Sequence, residues 1–285
     1  SEKILIGEIE NNKTKTQEIF NQKKINFLEG IEFQNIDVWF PLLHGFNGED
    51  GSIHGLLKFT QKPLVGCGII GSALGMDKII MKAIFSNLKL PQVNYLVFQN
   101  EDLKDKEVKN RIINEILKKL NFPIFVKPSN SGSSLGISKV TNKSEILQAI
   151  EKAWEIDTRI LVEEGLEARE IECGIIGKSK LLTSEIGEVK YESDWYDYDS
   201  KYNLNNKITI PAEINTKVAE QIKNIAIQSC RALNIFGFAR VDFFLEKSSN
   251  KVFLNEINTI PGFTKNSMFP MLWKASGLNI EQLVA

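Results

Sequence analysis

The chain has 285 residues, 42% of them hydrophobic and 25% charged, with a formal net charge of -1. This is the composition of an ordinary globular protein with room for roughly two or three compact units, and it lacks the basic excess that general nucleic-acid binding needs. No apolar run reaches the roughly 20 residues of a membrane span, and the opening SEKILIGEIENNKTKTQ has no apolar core of a secretory signal.

The first thirty-odd residues are polar and weakly patterned, and the first clear strand is IDVWFPLL, residues 36–43. It enters a Gly-rich loop, HGFNGEDGSIHG, followed by a helix in LLKFTQ and a short strand in PLVGCG. Apolar spacing predicts a helix over 76–90, a strand over 93–99 and an amphipathic helix over 108–120. FPIFVKPSNSGSSLGISKV reads as strand, glycine-serine loop, strand, and residues 143–156 as a helix with Ser144 as N-cap. Two strands follow over 159–166 and 169–177, then a long polar loop, a helix over 212–234, and a β-hairpin made of 237–246 and 251–258. Helices alternate with strands, so the class is α/β or α+β in several units. Cys67, Cys173 and Cys230 are far apart and lack metal-type spacing, so they read as free thiols in a reducing compartment.

Three stretches look chemical. In the hairpin, residues two apart share a face, so Arg240, Asp242 and Phe244 lie together, as do Glu256 and Asn258 across from them. With Asp242 facing Glu256, the two Cβ atoms would lie about 4.5–5.5 Å apart. Carboxylates that close repel unless a cation joins them, and an all-oxygen set of Asp, Glu and Asn suits Mg²⁺. Relief of that repulsion predicts that Asp242→Asn or Glu256→Gln leaves the melting temperature unchanged or raised. The pairing demands an odd-length turn within EKSSNK or a bulge, because a regular four-residue loop joining Glu246 to Lys251 would put the carboxylates on opposite faces. VKPSNSGSSLG places Lys127 at a strand end before a loop of small residues, which reads either as a phosphate-binding nest or as a plain hairpin turn. LLHGFNGEDG feeds a strand end into glycines, where ligands sit in open α/β sheets. His44 there is either a donor to a carboxylate or a packed histidine, and Glu49 and Asp50 read as loop-ordering residues.

HGFNGEDG, GSALGMDK, VKPSNSGSSLGISKV, DWYDYDSKY, RVDFF and LNEINTIPGFT, in that order, resemble the ATP-grasp enzymes and among them the D-alanine–D-alanine ligases. The resemblance runs from about Asp37 onward. It implies an α/β chain, α+β in its C-terminal half: a partial N-terminal Rossmann-like domain (1–75), a central ATP-grasp domain (76–162) and a C-terminal ATP-grasp catalytic domain (163–285). It further implies an ATP-dependent, ADP-forming ligase that joins two D-alanines through an acyl phosphate for peptidoglycan synthesis. Two Mg²⁺ ions, with Mn²⁺ as a substitute, would be held by Asp242, Glu256 and Asn258. Lys78 and Lys127 would contact ATP phosphates, with Ser134 and Lys201 in the same nucleotide set. Glu163, Glu164 and Leu166 would line the adenine pocket, and Glu170 would hold the ribose. Arg240 and the Gly262 N–H would stabilise the oxyanion, and Ser133 and Tyr202 would complete the catalytic group. His44, Ser267 and Met268 would surround the D-alanines. A cytoplasmic homodimer with no nucleic-acid or membrane partner is implied as well.

The family's lactate-using members carry a lid histidine, whereas this chain's two histidines, His44 and His54, lie far upstream and Tyr202 occupies the lid. D-Ala is therefore expected over D-lactate as second substrate. The family's first strand and Gly-rich loop, with its ammonium-binding glutamate, have no counterpart before Asp37, so the chain resembles a ligase without the first part of its N-terminal domain. The alternatives are another ATP-grasp carboxylate-amine ligase, such as a D-Ala–D-Ser ligase, and a non-catalytic nucleotide-binding fragment.

Overall fold

Proline decides where the first described segment stops being a strand. The computed structural model describes residues 35–101, 103–132, 135–190 and 207–285, and within it Val38–Ala285 forms one unit. The strand expected over 36–43 is reduced to a single parallel bridge between Trp39 and Leu64. Trp39 N–H donates to Pro63 O at 2.9 Å and Val65 N–H to Trp39 O at 2.8 Å, and Pro41, which has no N–H, cannot extend the ladder. Three helices follow: α1 (Ser52–Lys58), α2 (Gly68–Met76) and α3 (Lys78–Asn87). The helix α2 was not expected from the sequence. Asp77 separates it from α3 and caps the latter, accepting from the N–H groups of Ile79 and Ile80 at 3.1 and 3.0 Å.

The next elements are β1 (Tyr95–Gln99), α4 (Lys106–Lys119), β2 (Ile124–Pro128), β3 (Ser138–Val140), α5 (Ile146–Trp154) and β4 (Arg159–Glu164). They make a four-stranded antiparallel sheet ordered β1-β4-β2-β3. Period-2 alternation gives it two unlike faces. Ile124, Val126, Ile160 and Val162 bury against Ile112 and Ile116 of α4 and Ile146 and Ile150 of α5. The opposite face carries Tyr95, Phe125, Lys127, Leu161 and Glu163. The cap before α5 is Asn142, not Ser144: Asn142 Oδ1 accepts from Ser144 N–H at 3.1 Å and opens a 3₁₀ turn over Lys143–Glu145.

A second sheet holds β5 (Ala168–Gly177), β6 (Leu181–Lys190), β7 (Lys207–Thr209), β8 (Gly237–Glu246) and β9 (Val252–Asn258), ordered β7-β6-β5-β8-β9. Helix α6 (Thr216–Ala232) covers one face. Ile171, Cys173 and Ile175 of β5 and Val241, Phe243 and Leu245 of β8 join Ile222, Ile225 and Cys230 of α6, together with Met81 and Phe85 of α3. Strands β6 and β7 fall in what the sequence suggested was a polar loop. Gly187 weakens the strand pattern of β6, and its polar Glu188 is in fact buried, held by Arg169 through two bonds of 2.8 and 2.7 Å. The chain continues into α7 (Met268–Ala275) and α8 (Ile280–Val284). All three cysteines are buried free thiols, and burial pushes Cys173 up to about 12 and Cys230 higher still. Among the described residues no helix is long and apolar enough to cross a membrane.

Candidate active site

The register of the β8–β9 hairpin decides whether its carboxylates meet. Glu246 N–H bonds to Lys251 O at 3.0 Å, so the turn is a regular four-residue loop. Leu245 then faces Val252, Phe244 faces Phe253 and Phe243 faces Leu254. That pairing alone would turn Glu256 away from Asp242. A β-bulge intervenes: the register shifts between Phe243 and Asp242, Asn255 is skipped, and Asp242 faces Glu256 while Arg240 faces Asn258. The odd-length turn is therefore absent and the bulge supplies the shift. Deleting Asn255 should therefore make the ladder continuous while leaving Glu256 opposite Asp242, because Glu256 then follows Leu254 directly. The expected result is retention of Mn²⁺-nucleotide binding, read by electron paramagnetic resonance, and loss of Mn²⁺ would show that facing register alone does not set the site.

Strand β5 adds a third carboxylate, because Glu172 faces Asp242 on its other side. Glu172, Asp242 and Glu256 thus form one row across three strands. Arg240 lies among them, its Nε and Nη2 donating to the two Asp242 oxygens at 2.7 Å each, with Nε 2.9 Å from Glu172 Oε2. Asn258 donates to Asp242 Oδ2 at 2.8 Å. Burial opposes the charge of Arg240, but the carboxylates of Asp242 and Glu172 overcome it and hold the guanidinium firmly protonated. The donor chemistry of Asp242, Glu256 and Asn258 fits a hard divalent cation. Among the described residues no group of three or more His, Cys, Asp and Glu converges to hold a metal alone.

The facing surface of the first sheet supplies cations. Glu163 of β4 is 2% exposed and lies between two lysines: Lys82 Nζ is 2.6 Å from its Oε1, and Lys127 pairs with its Oε2. Burial alone would raise the Glu163 pKa, but the charges of Lys127 and Lys82 override it and hold it at about 2. Burial would likewise lower Lys127, but Glu163, with Glu256 and Glu170 contributing, raises it. Lys78, at the start of α3, donates to Ser131 O at 2.5 Å and lies 3.8 Å from Glu256. Asp77 ties this helix start to the loop after β2, accepting from Ser129 Oγ at 2.8 Å and pairing with Arg159 at 2.5 Å. Gly136 closes that loop at φ 75°, where a Cβ would fall 2.2 Å from Ile156 Cδ1, so the turn into β3 needs glycine.

The remaining residues named from the sequence divide. His44 Nδ1 is 2.9 Å from Ile260 O, joining the HGFNGEDG loop to the segment after β9. Asp50 orders the loop, accepting from the N–H groups of Asn47 and Ser52 at 2.9 Å each. Glu49 accepts from Gly45 N–H at 2.7 Å, and its pKa is raised, by burial first and by Glu256 in addition. A Cβ on Gly262 would meet Ser267 Oγ at 2.8 Å, so this glycine lets the N-cap of α7 approach the loop. Glu170 shares the site face of β5 with Glu172, and Leu166 lies in the half-buried link from β4 to β5. Two side chains are not brought to the site. Glu164 alternates to the other face from Glu163, where its oxygens accept from Asn94 at 2.7 Å and Asn121 at 2.5 Å. The Met268 side chain is buried, its sulfur against Gly187. Ser133, Ser134, Lys201 and Tyr202 lie outside the described residues.

Lys82 and Glu172 did not stand out in the sequence, yet each left a trace. Lys78, Met81, Lys82 and Phe85 are the buried positions of α3, a core spacing in which two of four residues are lysine. Glu172 follows Glu170 by two on one strand face.

A family model described as the D-ala D-ala ligase C-terminus matches residues 84–285, and one described as the D-ala D-ala ligase N-terminus matches residues 3–67. The chain belongs to the D-alanine–D-alanine ligase family. The N-terminal match begins well before Asp37, so the likeness reaches further upstream than the motifs do. Two D-alanine–D-alanine ligases of Prochlorococcus marinus, strains MIT 9301 and MIT 9312, are each 85% identical over all of this chain, which covers 80% of each relative. Solved structures agree. A D-alanine–D-alanine ligase from Coxiella burnetii aligns with TM-score 0.74 at 33% identity, over 87% of this chain and 65% of its own. The VanG D-Ala:D-Ser ligase from Enterococcus faecalis aligns with TM-score 0.76 at 36% identity, over 87% and 71%. The fold is that of ATP-grasp, and membership of the D-alanine–D-alanine ligases implies an ATP-dependent reaction.

Proposed function

We propose that the chain joins two D-alanines with ATP, releasing ADP and phosphate, in the making of a cell-wall precursor. One observation carries this reading: cations of one sheet and carboxylates of the other converge, with Lys78 of α3 3.8 Å from Glu256 of β9 and Lys127 of β2 within the field of the same carboxylate. Lys78 and Lys127 hold the ATP phosphates, with Ser134 and Lys201 in the same set. The link around Leu166, with Glu163 behind it, receives adenine, and Glu170 the ribose. Asp242, Glu256 and Asn258 would hold Mg²⁺, which supplies neutralising charge to phosphate oxygens when bound.

In the first step an oxygen of the D-Ala carboxylate bonds to the γ-phosphorus as the bridging bond to ADP breaks. In the second the amine of another D-Ala bonds to the carbonyl carbon, loses its proton, and phosphate leaves. Arg240 and the Gly262 N–H stabilise the negative oxygen that develops at that carbon. For this, Arg240 exchanges part of its bonding to Asp242 for the substrate. His44 and Ser267 border the D-alanines, and Ser133 and Tyr202 complete the catalytic group, from which water must be kept while the acyl phosphate lasts. A homodimer in the cytoplasm is part of the same reading.

The lid argument separates amine from hydroxyl acceptors. A cationic lid histidine would repel an ammonium and tolerate a hydroxy acid, and the phenol of Tyr202 is neutral near pH 7. Phosphate release from ATP should therefore depend on D-Ala, and the product should be dipeptide rather than D-Ala–D-lactate ester over about pH 6–9, where the α-ammonium titrates. Comparable ester and dipeptide yields near pH 7 would overturn this. The likeness to a D-Ala:D-Ser ligase makes D-Ser the competitor to include. D-Ser turnover matching that of D-Ala would favour the second reading, and ADP binding with no D-Ala-dependent phosphate release would mean a nucleotide-binding fragment.

A further inference from the structure

Lys82 is an ammonium placed where a helix would normally present a core side chain. It lies one turn after Lys78 on α3, so both lysines leave the same face of that helix. It is 2% exposed, 2.6 Å from Glu163 Oε1, with the Tyr95 ring centroid 5.4 Å away. A buried ammonium costs several kcal/mol unless it is well paired. One lysine would suffice to neutralise Glu163, yet this carboxylate holds two, one on each oxygen. Only Lys127 stands at the strand end that meets the phosphate loop.

We propose that Lys82 is a positioning residue of the nucleotide site: it takes up the charge of Glu163 and so leaves the charge of Lys127 available to the phosphates of ATP. With Lys82 the three groups carry one net positive charge. Without it Lys127 and Glu163 cancel, and Glu170 and Glu256, which also act on Lys127, turn the local field against an anion. The inference rests on the nucleotide-site reading above.

The test measures ADP affinity by calorimetry, and steady-state kinetics, on the full chain and on Lys82→Met, Lys82→Arg and the double variant Lys82→Met with Glu163→Gln. Lys82→Met should weaken ADP about tenfold and raise the KM for ATP similarly, while the KM for D-Ala changes less than about twofold. Lys82→Arg should keep most of the affinity. Glu163→Gln alone, measured beside them, gives the baseline for any loss at the adenine pocket, and in that background Lys82→Met should cost less than about threefold, because Lys127 then lacks a cancelling partner. Undiminished ADP binding in Lys82→Met, or an equal loss in both backgrounds, would overturn the proposal. Should Lys82→Met not fold, the two Glu163→Gln variants decide it: ADP affinity alike in both supports the role, and a further loss of about tenfold on adding Lys82→Met refutes it. Failure of the unsubstituted chain to bind ADP would remove the nucleotide-site reading itself.

Discussion

Asp242→Asn is expected to lower ligase turnover about 10³-fold, the scale on which an enzyme loses a preorganised electrostatic group at a phosphoryl or acyl centre. Asp242 sits at the centre of the carboxylate row, between Glu172 and Glu256. Its replacement removes an anionic donor from the cation site and also frees Arg240, whose two bonds to it measure 2.7 Å. The consequence for stability differs from the sequence expectation. Like-charge repulsion between Asp242 and Glu256 suggested that either amide variant would hold or raise the melting temperature. The structure supplies Arg240 as an internal counter-charge, so Asp242→Asn should instead cost about 1–3 kcal/mol through the weakened charge-assisted bonds. Glu256→Gln should cost less, because its ion pair with Lys78 is long at 3.8 Å. Turnover of both variants with ATP, and denaturant midpoints without it, separate these effects. Unchanged turnover in both would place the cation elsewhere.

The largest loss of stability is expected from Glu163→Ala. This carboxylate is the common partner of Lys82 and Lys127, and it is 2% exposed. Removing one member of a buried charge cluster costs about 3–5 kcal/mol, because the others stay buried without compensation. The pH dependence follows from the same group. Its folded pKa, about 2, lies below the unfolded carboxylate value, so its stabilisation is complete above about pH 4.3 and is lost as the pH falls toward 2. Urea midpoints between pH 7 and pH 3 should therefore fall more steeply in the parent chain than in Glu163→Ala. Parallel curves would show that Glu163 does not carry this linkage.

What the sequence revealed and what it hid divide along physical lines. A strand with clean alternation, such as β8, was legible because one face is core and the other is not. The face shared by Arg240 and Asp242 followed directly. The pairing of Asp242 with Glu256 did not, because it depends on the single residue Asn255, and a bulge leaves no mark in the alternation of apolar residues. Strand β6 was hidden by Gly187 and by a buried Glu188 whose partner, Arg169, is far off in sequence. Lys82 was hidden by the rule that lysines lie in solvent, and its counter-charge stands on a strand eighty-one positions away. Glu164 entered the adenine set through the family pattern, which names both carboxylates, whereas the alternation of β4 sends its side chain to the face away from Glu163, where it accepts from Asn94.

Transfer of isotope tests the central claim, that a D-alanine carboxylate is activated by taking the γ-phosphoryl group of ATP. D-Alanine labelled with ¹⁸O in both carboxylate oxygens is supplied with ATP, and the released phosphate is analysed by mass spectrometry. Attack of the carboxylate on phosphorus, followed by expulsion of phosphate by the second amine, leaves one labelled oxygen in each phosphate formed. That is the expected result, in amounts matching the dipeptide. Dipeptide formation with unlabelled phosphate would contradict it.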